Sequence, residues 1–230
     1  MTDRYFDGTY LKTNPSWHIE DSHWKSQQIK KIMIKNNVNP KTICEVGCGA
    51  GEILNQLYQT YSSEISYFGF EISPQAYELC KKQKNDKIQY YLDDLSNMKN
   101  TFFDVILLID VIEHIEDMFN FLRKIKDKGE YKIFHIPLSI VFFNIVNGNT
   151  LSEEIIHLGH IHFFTKDIAL ETLRNNGYEI LDCIYTPSFE KYHSDLFNEI
   201  LSFPQKIVYK LNSDFGIRVF GGSSLLVLTK

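Results

Sequence analysis

Only four cysteines occur among the 230 residues, no two of them form a C-x-x-C pair, and six scattered prolines leave no proline-rich linker. Cys44, Cys48, Cys80 and Cys183 are widely spaced and lie largely in apolar runs, so they read as reduced thiols, not as a disulfide framework or thiolate metal site. No apolar stretch approaches the roughly 18 residues that suggest a membrane span, and the most apolar segment, 105–109, is only strand length. With no recognisable signal peptide, a cytoplasmic protein with no membrane partner is expected. Positive charge is short as well. The 24 lysines and arginines face 29 acids, giving a formal charge of −5, so no global attraction draws the chain to phosphate backbones and, a local basic patch aside, no nucleic-acid partner is expected.

What is present is 43% hydrophobic residues, enough for one substantial core, so a single domain over 1–230 is expected. Short apolar runs (42–46, 66–70, 88–92, 105–109 and 131–136) alternate with helical patterns (52–61, 74–84 and 118–126). Such alternation implies a mostly parallel sheet covered on both faces. Further on, helical spacing over 166–175 stops at Asn176-Gly177, before strand-like runs at 178–185 and 223–228. Two regions fall outside this pattern: 1–41, and the insertion 187–222 before the last strand. The first is dense in aromatics, with Tyr5, Tyr10, Trp17, His18 and Trp24, and continues as an amphipathic helix over 24–35. It reads as a helical cap shielding a reactive group from water, or as a helix merely packed on the sheet.

The segment Glu45-Val46-Gly47-Cys48-Gly49-Ala50-Gly51 follows a strand-like run and opens a helix-like one. Alternate glycines let the backbone lie against a ligand and adopt positive φ. The dinucleotide fingerprint needs a further glycine where Glu52 stands, and a carboxylate there would repel a pyrophosphate. A phosphate-binding P-loop is also excluded, since no Gly-Lys-Ser/Thr follows. Twenty positions after Gly51, the run 66–70 ends in Glu71, placed to accept hydrogen bonds from both hydroxyls of a ribose. A glycine turn and a ribose acid without pyrophosphate features point to S-adenosylmethionine.

From about Ile43 onward the chain resembles the class I S-adenosylmethionine-dependent methyltransferases of the small-molecule type. The resemblance rests on the glycine turn, on Phe68-Gly69-Phe70-Glu71-Ile72-Ser73, on Leu92-Asp93-Asp94-Leu95, and on the fourth-strand motif from Phe103-Asp104 through Asp110-Val111-Ile112-Glu113-His114. It implies a Rossmann-like seven-stranded sheet of order 3-2-1-4-5-7-6 with the last strand antiparallel. It also implies S-adenosylmethionine as cofactor and S-adenosylhomocysteine as product. Gly47, Cys48, Gly49 and Gly51 would approach the methionine and ribose portions, with Glu45 near the methionine ammonium. Glu71 and Ile72 would hold the ribose. Asp94, or Asp93 one position earlier, would receive the adenine amino group beside Leu95, with Ile109 and Asp110 ending the fourth strand at the crevice. Either aspartate has a solvated turn residue as its alternative.

Methyl transfer needs alignment first, and a base only if the acceptor must lose a proton. His114 is a candidate base or a packed core histidine, while Glu113 and Asp104 read as structural. His160 and His162 share a face if their segment is extended. A metal there is disfavoured, because no third close ligand is fixed and methyl transfer requires none, so His160 and His162 are read with His114 as catalytic candidates, one of them lining the acceptor pocket. The acceptor pocket is expected to draw on Trp17, His18, Trp24 and His135. The expected activity is methyl transfer to oxygen or nitrogen of a small molecule, such as a sugar or natural-product intermediate, by a monomer or homodimer. A protein or RNA methyltransferase and a noncatalytic cofactor-binding module are the alternatives.

Overall fold

The computed structural model describes residues 2–17, 19–191 and 196–230. The strands β1 (Thr42–Val46), β2 (Ser66–Glu71), β3 (Ile88–Leu92), β4 (Phe103–Ile109), β5 (Gly129–Pro137), β6 (Ile180–Pro187) and β7 (Ser223–Thr229) form a seven-stranded sheet in the order β3-β2-β1-β4-β5-β7-β6. β1 to β5 run parallel, and β7 is antiparallel to both β5 and β6. This is the expected sheet. β4 starts two residues before the apolar run, because Asp104 ties strands instead of breaking one: its Oδ2 accepts the backbone N–H groups of Lys41 (2.7 Å) and Thr42 (2.9 Å). β6 starts later than expected, because Tyr178 turns into the core and donates its hydroxyl to the Leu122 carbonyl at 2.7 Å.

In chain order the α-helices are α1 (Thr9–Thr13), α2 (Ile19–Lys35), α3 (Glu52–Thr60), α4 (Pro74–Cys80), α5 (Met118–Lys126), α6 (Phe142–Asn147), α7 (Thr150–Glu153), α8 (Lys166–Asn175), α9 (Leu196–Leu211) and α10 (Ser213–Phe220). Caps set several starts. Ser73 accepts from Ala76 N ahead of Pro74, Asp117 from Asn120 N, and Thr165 from Ile168 N. α4 is shorter than the pattern 74–84 suggested, since a 3-10 turn, Lys81–Gln83, takes over.

Alternation along β4 divides the core. Val105, Leu107 and Ile109 face a layer containing Ile29, Ile32, Met33, Leu54 and Leu57, whereas Ile106 and Leu108 face Leu122, Ile125, Leu170 and Leu173. α2 buries Ile29, Ile32 and Met33 against the sheet, while its first turns reach the crevice at the strand ends.

Candidate active site

A cavity of about 570 Å³ opens outside the carboxyl ends of β1, β2, β4 and β5, where ligands of open α/β sheets bind. One part of its wall is the glycine turn with Glu45, Glu71, Asp93 and Asp94, and another carries Asp110, Glu113, His114, His135 and His160. Tyr5, Tyr10, Trp17 and the start of α2 supply the N-terminal side. Tyr10 packs against Tyr5 (5.0 Å between centroids) and Trp17 (4.8 Å). Trp17 holds φ of 49°, a strained conformation for a bulky residue, and its buried indole N–H has no hydrogen-bond partner. Arg4 anchors this segment through the carbonyls of Ile155 (3.4 Å), Ile156 (3.3 Å) and His157 (3.4 Å).

The glycine turn is left-handed at three points: Gly47 (φ 66°), Gly49 (φ 53°) and Gly51 (φ 80°). Their surroundings differ. A Cβ on Gly49 would come no nearer than 3.9 Å to another group, whereas one on Gly51 would lie 2.6 Å from the Tyr90 hydroxyl. Gly51 thus packs against β3 and does not line the cavity, while Gly47, Cys48 and Gly49 do. Glu71, at the end of β2, accepts Gly49 N–H on Oε2 (2.8 Å) and Ser73 N–H on Oε1 (2.8 Å). Each oxygen keeps a lone pair for a further donor. Burial holds this carboxyl above its ordinary pKa, against the opposing pull of those backbone donors.

Glu45 is buried, and its Oε2 has no hydrogen-bond partner; burial pushes its carboxyl well above the usual range, with Lys25 opposing. Asp94 caps the 3-10 turn Leu95–Asn97, accepting from Ser96 N (2.8 Å), Ser96 Oγ (2.8 Å) and Asn97 Nδ2 (3.2 Å). It therefore acts as a turn residue even though it lines the cavity. Asp93 is exposed there, Ile72 and Ile109 also line the wall, and Leu95 is buried beneath it.

Asp110 ends β4 with φ of 53°. Its Oδ1 lies 2.6 Å from His135 Nδ1, its Oδ2 lies 2.7 Å from Lys25 Nζ, and His135 Nε2 lies 3.0 Å from Thr186 Oγ1. Burial would raise this carboxyl, but Lys25 and His135 hold it well below the ordinary value. The network ties α2 to β4, β5 and β6. Trp24 sits behind it, buried, edge-on to His135 at 6.2 Å, and off the cavity wall. His18 lies outside the described residues.

Three residues after Asp110, Glu113 is fully buried, yet neither carboxylate oxygen has a hydrogen-bond partner. Its side chain caps nothing, although the residue stands in the first turn of the 3-10 segment Ile112–His114, as its expected structural role requires. Burial and then Asp110 raise its pKa well above the ordinary value. His114 offers Nδ1 to the Gly159 carbonyl (3.1 Å), and burial, followed by His160, lowers its pKa to about 4. His160 has Nδ1 3.0 Å from Glu154 Oε2, which also accepts from Ser139 Oγ at 2.6 Å. The loop bearing His160 is held here because Ile161 and His162 donate their backbone N–H groups to the Glu113 carbonyl. His162 instead directs Nε2 to the Ile115 carbonyl (2.8 Å), so its side chain does not join His160 in the cavity.

The sequence profile of a family described as "Methyltransferase domain" matches residues 19–182. The chain belongs to the class I S-adenosylmethionine-dependent methyltransferases. Among curated relatives, the mitochondrial ubiquinone biosynthesis O-methyltransferase of Schizosaccharomyces pombe is 25% identical over 154 residues, covering 61% of this chain and 54% of that protein. Norajmaline N-methyltransferase of Rauvolfia serpentina is 29% identical over 92 residues, covering 37% of this chain and 31% of its own. The chain thus spans about half, or less, of the length of these relatives. Among solved structures, the methyltransferase bound to the Haloferax volcanii Trm112 activator superimposes with a TM-score of 0.68 at 16% identity, covering 100% of this chain and 96% of that one.

The cofactor of this methyltransferase is S-adenosylmethionine, and the cavity fits it. The orphaned Glu45 oxygen is an acceptor for an ammonium, and Glu71 has lone pairs for two hydroxyls. Sequence reasoning missed Lys25, whose only signal is a lysine one position beyond Trp24 in the first half of an amphipathic helix. It also missed Glu154, for which no local signal exists: its proximity to His160 depends on the turn between them.

Proposed function

We propose that this methyltransferase transfers the methyl group of S-adenosylmethionine to an oxygen or nitrogen of a small molecule. The observation that carries this reading is the shared cavity: the cofactor-type groups Glu45, Gly49 and Glu71 line it together with His114 and His160, and the aromatic N-terminal segment forms one side. The bound donor supplies an electrophilic methyl carbon with its leaving group already attached. Glu45 would take the donor's ammonium, Glu71 the ribose hydroxyls and Asp93 the adenine edge, since Asp94 is occupied by its own turn. Tyr5, Tyr10 and Trp17 would hold the acceptor and exclude water, which favours a small acceptor over a polypeptide or RNA strand.

His114 and His160 are the groups on this wall able to receive the hydrogen of an acceptor hydroxyl or amine. Nδ1 of each is engaged and Nε2 of each lacks a hydrogen-bond partner among the described residues. The O- and N-methyltransferase names of the relatives agree with either acceptor atom, and a sugar or natural-product intermediate fits the cavity's mixture of aromatic and polar groups.

The test is titration with S-adenosylmethionine and S-adenosylhomocysteine, followed by incubation with a deuterated methyl donor and a small-molecule acceptor library, read by mass spectrometry. Cofactor binding with label transfer to a hydroxyl or amine is expected. Transfer only to polypeptide or RNA would overturn the acceptor class, and binding without any transfer would make the chain a noncatalytic binding module.

A further inference from the structure

We infer that Glu113, His114 and His160 form a binding site for a single divalent transition-metal ion on the wall of the cavity. Each of the three offers one ligand atom, and these atoms lie within 4.8 Å of one another; no ion is present. The second observation is the carboxylate itself. Glu113 is 0% exposed with neither oxygen hydrogen-bonded, and a buried carboxylate without a hydrogen bond is among the costliest groups a fold can hold. A cation bound there removes that cost.

Both imidazoles are set as metal-bound histidines are set. A ligating histidine donates its other ring N–H to a carbonyl or carboxylate, which fixes the tautomer and ring orientation. His114 Nδ1 is on the Gly159 carbonyl at 3.1 Å, and His160 Nδ1 is on Glu154 Oε2 at 3.0 Å, a carboxylate further fixed by Ser139. This leaves Nε2 of each for the ion. His114 Nε2 and Glu113 Oε1 stand 4.0 Å apart. Two atoms bound tetrahedrally at about 2.0–2.1 Å are roughly 3.3 Å apart, so a contraction of about 0.7 Å for this pair, and of up to about 1.5 Å among the three ligand atoms, completes the site. Asp110 is not a ligand, because Lys25 and His135 already engage its two oxygens.

Two imidazoles and one carboxylate select Zn²⁺, Co²⁺ or a similar borderline ion over Mg²⁺ or Ca²⁺, which prefer all-oxygen shells. Three protein ligands leave at least one coordination position, and all three residues line the cavity. On the methyltransferase reading, that position takes the acceptor oxygen. The acceptor is then a hydroxyl compound: the ion lowers the pKa of the bound hydroxyl, the proton leaves to solvent and not to His114 or His160, whose Nε2 atoms are on the ion, and the oxygen takes the methyl group as the carbon–sulfur bond breaks to give S-adenosylhomocysteine. Binding of the ion does not depend on that reading.

The test uses the full chain, stripped with chelator and titrated with Zn²⁺ and with Co²⁺, following heat and the visible absorption of Co²⁺, alongside a separate titration with S-adenosylhomocysteine. One equivalent per chain is expected. Glu113→Gln and His160→Asn should abolish saturable binding, whereas Glu154→Gln, which removes only the support of His160, should weaken it about 10–100-fold. The exposed His157→Ala should leave it unchanged. Circular dichroism identifies any variant that fails to fold, and His114→Asn serves in its place. No one-to-one binding by wild-type protein, or binding undiminished in folded Glu113→Gln or His160→Asn, would overturn the site. Tight S-adenosylhomocysteine binding in the same sample would show that the methyltransferase reading survives that failure.

Discussion

Replacing Glu71 by glutamine separates its observed task in the glycine turn from its proposed task at the ribose. Its oxygens pin Gly49 N–H and Ser73 N–H, both at 2.8 Å, so it holds the glycine turn and the start of α4 in place before any ligand arrives. Glutamine keeps the shape but presents one oxygen and one NH₂, so whichever way it turns, one backbone donor faces another donor. An unsatisfied donor costs about 1–3 kcal/mol. For a domain of this size each kcal/mol lowers the melting temperature by about 2–4 °C, giving a fall of about 2–12 °C. The proposed ribose contacts add a second loss. A hydrogen bond to a charged acceptor is worth about 1.5–3 kcal/mol, so losing one weakens S-adenosylhomocysteine binding roughly 10- to 150-fold. Calorimetric titration and thermal melts read the two losses separately. A melting loss with affinity within twofold of wild type would show that Glu71 is only a pin for the turn. Because burial raises its pKa, wild-type affinity should also weaken in mild acid as the carboxylate takes up a proton, and glutamine should remove that dependence.

Gly49→Ala and Gly51→Ala should fail differently. The first meets no protein atom nearer than 3.9 Å and should mainly weaken cofactor binding, at about 1 kcal/mol of backbone strain; the second collides with Tyr90 and should cost about 2–4 kcal/mol of stability. Melts and titrations showing the reverse pattern would refute this account of the turn. In metal-free protein, the His114 pKa of about 4 lies below its unfolded value of about 6.5. The neutral ring therefore contributes stability that is fully present above pH 6.5 and lost as pH falls through 4, about 3 kcal/mol in all. Urea unfolding at several pH values should show this loss in wild type and not in His114→Asn; equal slopes would exclude His114 as its source. Lys25→Met removes a 2.7 Å ion pair from Asp110 while leaving His135 in place, and should destabilise by about 3 kcal/mol at neutral pH. An unchanged melting temperature would mean that α2 is held by its apolar face alone.

The parts legible in the sequence are those whose physics is local. The strand β1 and the helices α5 and α8 appear with their observed bounds, because apolar periodicity, a capping residue and a stop signal lie within a few positions of one another. The glycine turn and Glu71 were legible for the same reason: one βαβ unit carries both. Where a long-range contact outweighed local pattern, boundaries shifted. Tyr178 left β6 for the Leu122 carbonyl, and Asp104 extended β4 through its bonds to Lys41 and Thr42.

The far wall of the cavity is assembled from segments that share no local signal. His114 and His160 are 46 positions apart, yet their ring centroids stand 4.9 Å from each other. What joins them is backbone: two N–H groups of the loop after His160 close on the Glu113 carbonyl. Spacing within 157–165 pairs His160 with His162, since alternation is all a sequence offers there, but the loop is not a strand and His162 turns away to Ile115. On the cavity wall His160 stands instead near His114 and the carboxylate of Glu113, whose lack of any hydrogen bond is visible only once the chain has closed around it. A fold that fixes its cofactor end within one βαβ unit can vary its acceptor end by changing distant loops, without disturbing the donor site. For that reason the identity of the cofactor could be read from a short stretch of chain, whereas the wall proposed to face the acceptor takes shape only from three segments in their folded arrangement.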